Sequence, residues 1–429
     1  MIKRLLNFLD ASPVNFWAVK NIVSELEEAG YRCIDPRKPI GTVKAGDKLY
    51  VTKNDSSVYA FEIGRKTLAE AGFYMICAHC DSPTFRIKPN AEIVGEGGIV
   101  KLNTEVYGGP IMSTWFDRPL TLAGRVIVKG KSEMTPKTLL LHIKRPLLQI
   151  SNLAIHFNRQ VNEGVALSKQ KDVLPILGII NDEMERGGLL IATICEELNI
   201  RKEDILDFDL YLADATRACT FGVHNEFISS GRLDDLSMCY AGLEALLASP
   251  SAVRTKVLAI FDNEETGSQT KQGAGSPFLA SMLKRIAVAQ SGTEEAFYQA
   301  VERAFMISAD NAHAWHPNYG EKFDPTNHPV LGGGPVIKFN AAQKYASDAV
   351  SAAVFSEVCR KAGVPCQRFV NHSDVAGGST LGNILASSIP LRGVDMGNGI
   401  LAMHSCRETG SAADHEYCVR AFTHFLSMP

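Results

Sequence analysis

The sequence predicts an α/β protein: a mostly parallel or mixed sheet covered by helices on both faces, interrupted by an inserted β-rich domain. Two observations predict this. Short apolar strand candidates alternate with helical patterns in residues 1–85 and again in residues 223–429. Residues 86–222 are instead rich in Gly and strand-forming side chains. We therefore expect a discontinuous main domain, 1–85 with 223–429, and an insertion, 86–222.

The first part of the main domain begins with helices and continues with strands. Phe16–Ala29 carries apolar residues at helical spacing, and Gly30 follows as the predicted C-terminal stop. Strands are predicted at Lys48–Val51, Ser57–Ile63 and Gly72–Ala78. The last run is uniformly apolar, as expected of a central strand covered on both faces.

The remaining elements follow the same two patterns. In the insertion, strands are predicted at Glu92–Gly95, Ile99–Leu102 and Leu120–Val128. In the second part of the main domain, helices are predicted at Leu236–Leu247, Gly275–Ala289, Ser347–Ala362, Thr380–Ala386 and Ala412–Leu426. Strands are predicted between them at Lys256–Phe261, Ala304–Ala309 and Gln367–Val370. Such alternation favours a largely parallel sheet.

Composition excludes several functional classes. The chain has 429 residues, 45% of them hydrophobic and 21% charged, which is typical of globular domains. A net charge of −3 gives no basic surface for nucleic acid or an anionic membrane. We expect no membrane span and no signal peptide, and hence a cytoplasmic protein.

The ten cysteines are scattered singly, and disulfides are not expected. Cys77 and Cys80 have a Cys-x-x-Cys spacing, which is compatible with a redox motif or half a zinc knuckle, but no second such pair occurs. Cysteines in apolar surroundings otherwise behave as small hydrophobic residues.

The doublet Glu264-Glu265 is the most informative feature of the chain. It follows the apolar run Lys256–Phe261 and precedes a Thr-Gly-Ser turn. Two adjacent carboxylates at the end of a buried strand need a cation nearby, or one of them stays protonated. A metal ion with one glutamate as ligand and the other as proton shuttle meets that need. A solvated loop is the competing interpretation.

Three further segments end apolar runs with metal-ligating side chains, and a fourth places such side chains at the start of a helix. His79 follows the run Gly72–Ala78, and Asp81 could accept from its far ring nitrogen. Asp310 and His404 also follow apolar runs. The pair Asp234-Asp235 precedes a helix, where capping competes with metal binding. The structural alternatives are a turn position for His79, an Asx turn at Asp310 and a buried or surface position for His404.

Taken together, these segments predict a metal site. In an α/β sheet the carboxyl ends of the strands meet at one crevice. Two imidazoles and three carboxylates suit zinc or a similar divalent ion, and five ligands exceed one tetrahedral site. A pair of ions fits better. The five predicted ligands are His79, Asp234, Glu265, Asp310 and His404.

The motifs around these residues resemble those of the M18 family of zinc aminopeptidases, the aspartyl aminopeptidases. The resemblance runs nearly end to end. It includes His-x-Asp at 79–81, Leu-Asp-Asp at 233–235, Glu-Glu-x-Gly-Ser at 264–268, Ser-Ala-Asp at 308–310 and Met-His-Ser at 403–405. It also takes in residues 334–338 and 345–347. The main domain would then be a phosphorylase/hydrolase-like metallopeptidase domain.

The resemblance implies a role for each site residue. Asp234 would bridge two ions, most simply zinc, with cobalt or manganese also compatible. His79 and Asp310 would complete one site, Glu265 and His404 the other. Glu264 would be the general base, and Asp81 would orient His79.

The resemblance also implies substrate contacts and an assembly. His156 would reach into a neighbouring subunit's active site, and a surface histidine is the alternative. The insertion would serve dimerisation and assembly into a tetrahedral dodecamer. An acidic N-terminal residue of the substrate peptide would need a cation, for which Lys338 is the candidate; a solvated surface lysine is the alternative. The segment Val370–Thr380 departs from the family's Arg-Asn-Asp pattern, so a strict acidic preference does not follow.

The function expected from the sequence is thus removal of N-terminal residues from peptides by a dinuclear metalloaminopeptidase. Two alternatives stay open: a related deacylase or carboxypeptidase with the same ligands, and a non-catalytic metal-binding assembly protein.

Overall fold

The computed structural model describes residues 1–180 and 188–429, which form two compact units. The first unit comprises Met1–Asp81, Ala218–Met403 and Glu408–Pro429, and the second comprises Ser82–Arg217 and His404–Arg407. The predicted boundaries at 85 and 222 lie close to the observed ones at 81 and 217. The prediction kept residues 404–407 in the main domain. Residues 181–187 of the predicted insertion lie outside the described residues.

The helices of the described ranges vary from one turn to more than four. They are α1 Ile2–Ala11, α2 Asn15–Glu28, α3 Leu68–Ala71, α4 Leu189–Leu198, α5 Leu233–Ala248, α6 Phe278–Ser291, α7 Glu295–Arg303, α8 Ala349–Ala362, α9 Leu381–Ser388 and α10 Ala412–Ser427.

The strands of the first unit fall into two segments of the chain. Those before the insertion are β1 Arg32–Cys33, β2 Lys48–Lys53, β3 Ser57–Glu62 and β4 Phe73–His79. The strands of the second unit are β5 Thr84–Val94, β6 Ile99–Tyr107, β7 Leu120–Val128, β8 Lys137–His142, β9 Ile176–Ile179 and β10 Ile205–Asp214. The strands of the first unit that follow the insertion are β11 Cys219–Phe221, β12 Phe227–Ser230, β13 Thr255–Phe261, β14 Phe305–Ala309, β15 Ala312–His313, β16 Val336–Phe339, β17 Gln367–Val370, β18 Arg392–Gly397, β19 Gly399–Ile400 and β20 Glu408–Ser411.

The first unit is built on a nine-stranded mixed sheet in the order β1-β2-β3-β13-β4-β14-β18-β16-β17. Its centre is parallel: β4 pairs with β13 on one side and with β14 on the other, and β14 pairs with β18. Antiparallel pairs flank this centre. The fold class predicted from the sequence, a mixed sheet with helices on both faces, is confirmed.

The two faces of this sheet carry separate apolar cores because successive strand residues point to opposite sides. In β4, Ile76 packs with α1, α2, α5, α8 and α10, whereas Met75 packs with α6, α7 and α9. The same alternation separates Cys80 from Cys77, which lie in the two different cores. The Cys-x-x-Cys pair therefore does not form a redox or zinc site.

The second unit is a six-stranded antiparallel sheet in the order β8-β7-β10-β5-β6-β9, with α4 packed against it. Its core includes Phe85, Trp115 and Leu210. Helix α4 was not predicted, and neither was α7 in the first unit, although Phe297, Ala300 and Val301 give α7 a buried face at helical spacing. Among the described residues, no helix has the length and apolar character needed to cross a membrane.

Candidate metal centre

Three neighbouring parallel strands bring chemically active side chains to one edge of the main sheet. Strand β4 ends at His79, β13 is followed by Glu264 and Glu265, and β14 is followed by Asp310. Because β13, β4 and β14 are adjacent and parallel, their carboxyl ends lie side by side. The strand order thus explains why residues far apart in sequence meet at this edge.

The start of α5 adds two aspartates to this edge. Its N-cap is Arg232, in the left-handed conformation with φ +62°, and no side chain caps the helix. Asp234 and Asp235 lie in the first turn, both buried. The backbone N–H of Asp234 donates to Oε2 of Glu408 at 3.1 Å. The Asp235 carboxylate accepts from the backbone N–H of His79, and both aspartates offer ligand atoms to the group around His79.

The imidazole of His79 is oriented by contacts on both ring nitrogens. Nδ1 lies 3.1 Å from the backbone oxygen of Asp81 and 3.4 Å from its Oδ1. Since a carbonyl oxygen can only accept, Nδ1 carries the hydrogen. Nε2 lies 3.4 Å from Oδ1 of Asp234 and points into the carboxylate cluster.

Two overlapping groups of ligand atoms surround His79. His79, Asp234, Asp235 and Asp310 each offer one ligand atom within 4.8 Å of the others. His79, Glu264 and Glu265 form a second such group. Four of the five ligands predicted from the sequence thus lie in groups that share His79, and Glu264 lies beside them.

Asp81 supports the glutamate doublet as well as the histidine. Its Oδ1 accepts from the backbone N–H of Glu264 at 3.0 Å, and its Oδ2 accepts from the backbone N–H of Glu265 at 3.1 Å. One buried carboxylate therefore holds the ends of β4 and β13 in register. Sequence reasoning anticipated its contact with the imidazole ring but not this second contact.

Sequence reasoning assigned no role to Asn311, and for Asp235 it left capping and metal binding open. Asp235 is fully buried and accepts from the backbone N–H of His79 at 3.2 Å. The Asn311 amide donates to the carbonyl of Leu233 at 2.7 Å and to Oγ of Ser237 at 3.0 Å. These two side chains join the start of α5 to β4 and β14. The one available signal was adjacency to a predicted ligand.

Lys338, predicted to bind substrate, is 2% exposed and faces Asp310. Its Nζ donates to the backbone oxygens of Asp310 and Asn311 at 2.7 and 3.3 Å. It also lies 3.3 Å from Oδ1 of Asp310. The ammonium group therefore compensates part of the charge of this aspartate.

Burial and crowding of negative charge shift the pKa values of the cluster. Burial raises the pKa of Glu264 to about 8; the repulsion of Asp310, Asp81 and Asp234 adds to the increase, and His79 opposes it. The pKa of Glu265 is raised well above its usual range, by burial first and then by Asp234.

The aspartates and His79 follow the same logic. Burial raises the pKa of Asp235 and of Asp310, and Lys338 opposes the increase at Asp310. Burial lowers the pKa of His79, but its contacts with Asp234 and Asp81 outweigh this and raise the pKa well above the usual value. Each shift reflects a lack of positive charge among these carboxylates.

This donor set fits divalent metal ions. Several buried carboxylates converge with an imidazole whose Nε2 points toward them, and Lys338 balances only part of their charge. Buried carboxylates are stable when they are paired or when they coordinate a metal. Mixed oxygen and nitrogen donors are typical of zinc sites in hydrolases.

Two predicted site residues belong to the second unit. His404 has a left-handed backbone, φ +69°, and its Nδ1 lies 3.1 Å from the carbonyl of Gly109. His156 is exposed in the segment between β8 and β9.

A cavity of about 260 Å³ lies in the first unit, and its wall begins three residues after Asp310. None of its lining residues is acidic, and Lys338 is not among them. Its polar lining includes Lys322, Asn371 and three imidazoles, while Phe369 and Met403 contribute to its apolar surface. The imidazoles belong to His313, His316 and His372.

Comparison with known proteins identifies the family. Residues 8–426 match the family profile described as "Aminopeptidase I zinc metalloprotease (M18)". The chain belongs to the M18 family of metallo-aminopeptidases. The resemblance inferred from the motifs is therefore confirmed, as is the prediction of an enzyme that hydrolyses peptides from the amino end.

Individual M18 relatives match over nearly the whole chain. A probable M18 family aminopeptidase 2 of Clostridium acetobutylicum is 52% identical over 426 residues, which cover 99% of this chain and 98% of the relative. A protein of the same name from Clostridium novyi is 49% identical, covering 99% and 98%. The chain in a cryo-EM structure of the Ape4 and Nbr1 complex superimposes with a TM-score of 0.95 at 36% identity, covering 99% of this chain and 85% of that one.

Proposed function

We propose that this M18 aminopeptidase is a dinuclear zinc enzyme that prefers peptides with an acidic N-terminal residue. The observation that carries the proposal is the convergence of buried carboxylates on His79 at the ends of three parallel strands. A site that only stabilised the fold would have no need for so many buried negative charges around one imidazole.

The proposed ligands are the five predicted from the sequence. His79, Asp234 and Asp310 would hold one ion, and Asp234 would also serve the second. Glu265 and His404 are proposed for the other on the strength of the sequence resemblance. When bound, the ions would polarise the scissile carbonyl and lower the pKa of a water molecule toward ~7.

Glu264 is proposed as the general base. Its backbone is fixed by Asp81, and its carboxylate shares a group of ligand atoms with His79 and Glu265. It accepts the proton of the attacking water and returns it to the leaving amine. Asp81 holds both the imidazole and the glutamate backbone, so it acts as a positioning residue.

The acidic preference is supported by the cavity whose wall begins at His313. Its lining has no carboxylate but contains Lys322 and three imidazoles, which favours an anionic side chain. Because Lys338 is buried against Asp310, we assign the cationic role to Lys322 and propose that Lys338 acts on substrate through the position of Asp310.

We also propose that the enzyme is a cytoplasmic homo-oligomer, a dimer assembling to a tetrahedral dodecamer. Support comes from the exposed apolar side chains Leu153, Ile155 and Phe157 in the second unit. His156 lies among them and would enter a neighbouring subunit's site.

A substrate panel tests the proposal. The chelated enzyme is assayed before and after addition of zinc, cobalt or manganese, with Glu-, Asp-, Ala- and Leu-anilides and their N-acetyl derivatives. We expect activity only with the free amino group, fastest with Glu or Asp, and two ions per chain by mass spectrometry. Release of acetate from the N-acetyl derivatives would instead identify a deacylase, hydrolysis of an N-blocked dipeptide with a free carboxyl end, assayed in parallel, would identify a carboxypeptidase, and no activity at all would favour a non-catalytic protein.

A further inference from the structure

We propose that Asp395 is a positioning residue that joins two loops and thereby fixes the shape of the cavity to which we assign the acidic preference. This inference rests on the proposed function of that cavity. Asp395 lies in β18, is fully buried, and is opposite Ser308 of β14 in the sheet register. It is neither a lining residue of the cavity nor one of the candidate metal ligands.

The carboxylate of Asp395 binds one group from each of two loops. Its Oδ1 accepts from the hydroxyl of Thr380 at 2.8 Å, and its Oδ2 accepts from the backbone N–H of Ala346. The hydroxyl of Ser347 adds a further link, because it accepts from the backbone N–H of Asp395 at 2.9 Å and donates to its carbonyl at 3.2 Å.

A second set of contacts closes the ring between the same loops. Nζ of Lys344 donates to the carbonyl of Gly377 at 2.7 Å, and the hydroxyl of Ser379 donates to the carbonyl of Lys344 at 3.4 Å. Gly377 and Gly378 line the cavity. The cavity wall is therefore held at one end by Lys344 and at the other by Thr380, and both connections lead back to Asp395.

The loop that contains Ala346 also lies near Lys338, the lysine that contacts Asp310. Tyr345 lies between the two anchored residues Lys344 and Ala346, and Nζ of Lys338 is 5.4 Å from the centre of its ring. Lys338 in turn contacts Asp310. A shift of the Ala346 backbone would therefore disturb the cavity wall and the lysine behind Asp310 together.

Burying a carboxylate to connect two loops is energetically unfavourable, so it is justified only where the relative positions of the loops must be fixed. An isolated one is strongly unfavourable, and apolar residues of similar volume often stabilise a fold as well or better. Here both oxygens are used, and the start of α9 lies so close that a Cβ on Gly382 would be 2.6 Å from each of them. Such a fixed arrangement is what a wall of defined shape requires.

The test compares Thr380→Val, which removes the hydroxyl at nearly constant volume, with Thr380→Ser, which keeps it. With Glu-anilide we expect Thr380→Val to raise KM about tenfold, to leave kcat within about twofold, and to leave metal content unchanged. Thr380→Ser should behave like the wild type. With Ala-anilide, which does not fill the cavity, the effect on KM should be smaller.

Asp395→Asn is a second, independent test of the same linkage. It should raise KM for Glu-anilide at least as much as Thr380→Val, and the double variant should be no worse than Asp395→Asn alone, because both changes break one linkage. Asp414→Asn is the matched control: Asp414 is also buried and accepts from two backbone N–H groups, those of Gly332 and Gly334, but contacts neither loop.

Three results would overturn the inference: Thr380→Ser as impaired as Thr380→Val, Asp395→Asn changing kcat and KM no more than Asp414→Asn, or equal effects on Glu- and Ala-anilide. Failure of the proposed acidic preference has a different signature, because the wild-type enzyme itself would then hydrolyse Ala- and Leu-anilide as fast as Glu-anilide.

Discussion

At the residue scale, the adjacent Glu264 and Glu265 have different proposed tasks, and substitution separates them. Glu264→Gln keeps size and hydrogen-bonding capacity but cannot accept the proton of water. We expect kcat to fall about 10³-fold with two ions still bound, since general base catalysis commonly contributes factors of this order. Glu265→Gln should instead lower the amount of bound metal. Kinetics and elemental mass spectrometry on the same samples measure both effects.

Wild-type turnover in Glu264→Gln would contradict the assignment of the base. Loss of metal from Glu264→Gln would contradict it in a different way, because that glutamate would then be a ligand.

Asp414 offers a residue-scale prediction that concerns stability. Burial raises its pKa from 3.8 to about 6, against the opposing effect of the N–H groups of Gly332 and Gly334. The folded state thus retains a proton that the unfolded chain releases near pH 4, and stability falls as pH rises from about 4 to about 6. A shift of this size corresponds to roughly 3 kcal/mol.

The difference in unfolding free energy between wild type and Asp414→Asn isolates this contribution, because asparagine does not titrate there. We expect the wild type to lose stability relative to the variant between pH 4 and pH 6.5 in urea titrations. A difference that stays constant with pH would show that the folded pKa of Asp414 is ordinary.

At the element scale, β18 lies so close to the segment after β14 that only glycine fits at position 397. A Cβ there would be 1.9 Å from the backbone oxygen of Asp310, and backbone cannot yield as a side chain can. Gly397→Ala should therefore destabilise the fold by about 3 kcal/mol or more and displace Asp310, lowering metal content. Denaturant unfolding and metal analysis measure these effects.

Gly399→Ala is the control for this crowding, because its Cβ would meet the Cβ of Ala314 at 3.2 Å. We expect a cost of about 1 kcal/mol or less and normal metal content. Equal losses in the two variants would mean that the contact with Asp310 is unimportant.

The elements also show what the sequence could and could not predict. The run Gly72–Ala78 indicated a central strand because both of its faces are apolar, and β4 is that strand. Helix α5 spans Leu233–Ala248, but Asp234 and Asp235 have non-helical φ and ψ angles, so its regular backbone begins at Leu236, where the sequence predicted the start.

Contacts between distant parts of the chain could not be predicted. Asp235 accepts from the backbone N–H of His79, which is 156 residues away in sequence. Asp395 accepts from Thr380 and Ala346, which the order of the strands in the sheet brings close to it. No local pattern carries such partners. The candidate ligands could be found because they end apolar runs or, in the case of Asp234, precede a helix; their supporting residues lie at no such recognisable position.

At the scale of the whole molecule, the bound ions should contribute to stability. Their ligands belong to β4, to α5 and to the segments after β13 and β14, so the ions together would join four separate parts of the chain. With free zinc at one hundred times its Kd, binding to the folded state alone stabilises it by about 3 kcal/mol. Chelation should lower Tm and zinc should restore it, whereas an unchanged Tm in calorimetry would contradict a metal site in the core.

The last prediction concerns assembly and its link to activity. Phe157 is 80% exposed in the second unit and lies next to His156, with Leu153 and Ile155 exposed nearby. If a neighbouring subunit covers these side chains, Phe157→Asp should dissociate the oligomer, because a charge would be buried there without a partner. The kcat should fall at the same time, since His156 would leave the neighbour's site. Light scattering after gel filtration gives the mass, and the anilide assay gives kcat.

Two variants make the link between assembly and activity decisive. Met134→Asp changes an 89% exposed residue elsewhere in the second unit and should alter neither mass nor kcat. His156→Ala should lower kcat while the mass stays that of the wild type. A Phe157→Asp protein of unchanged mass would exclude this loop from the interface, and a dissociated protein of unchanged kcat would exclude His156 from the site. The combination of a smaller particle with lower kcat is the outcome that ties the two together.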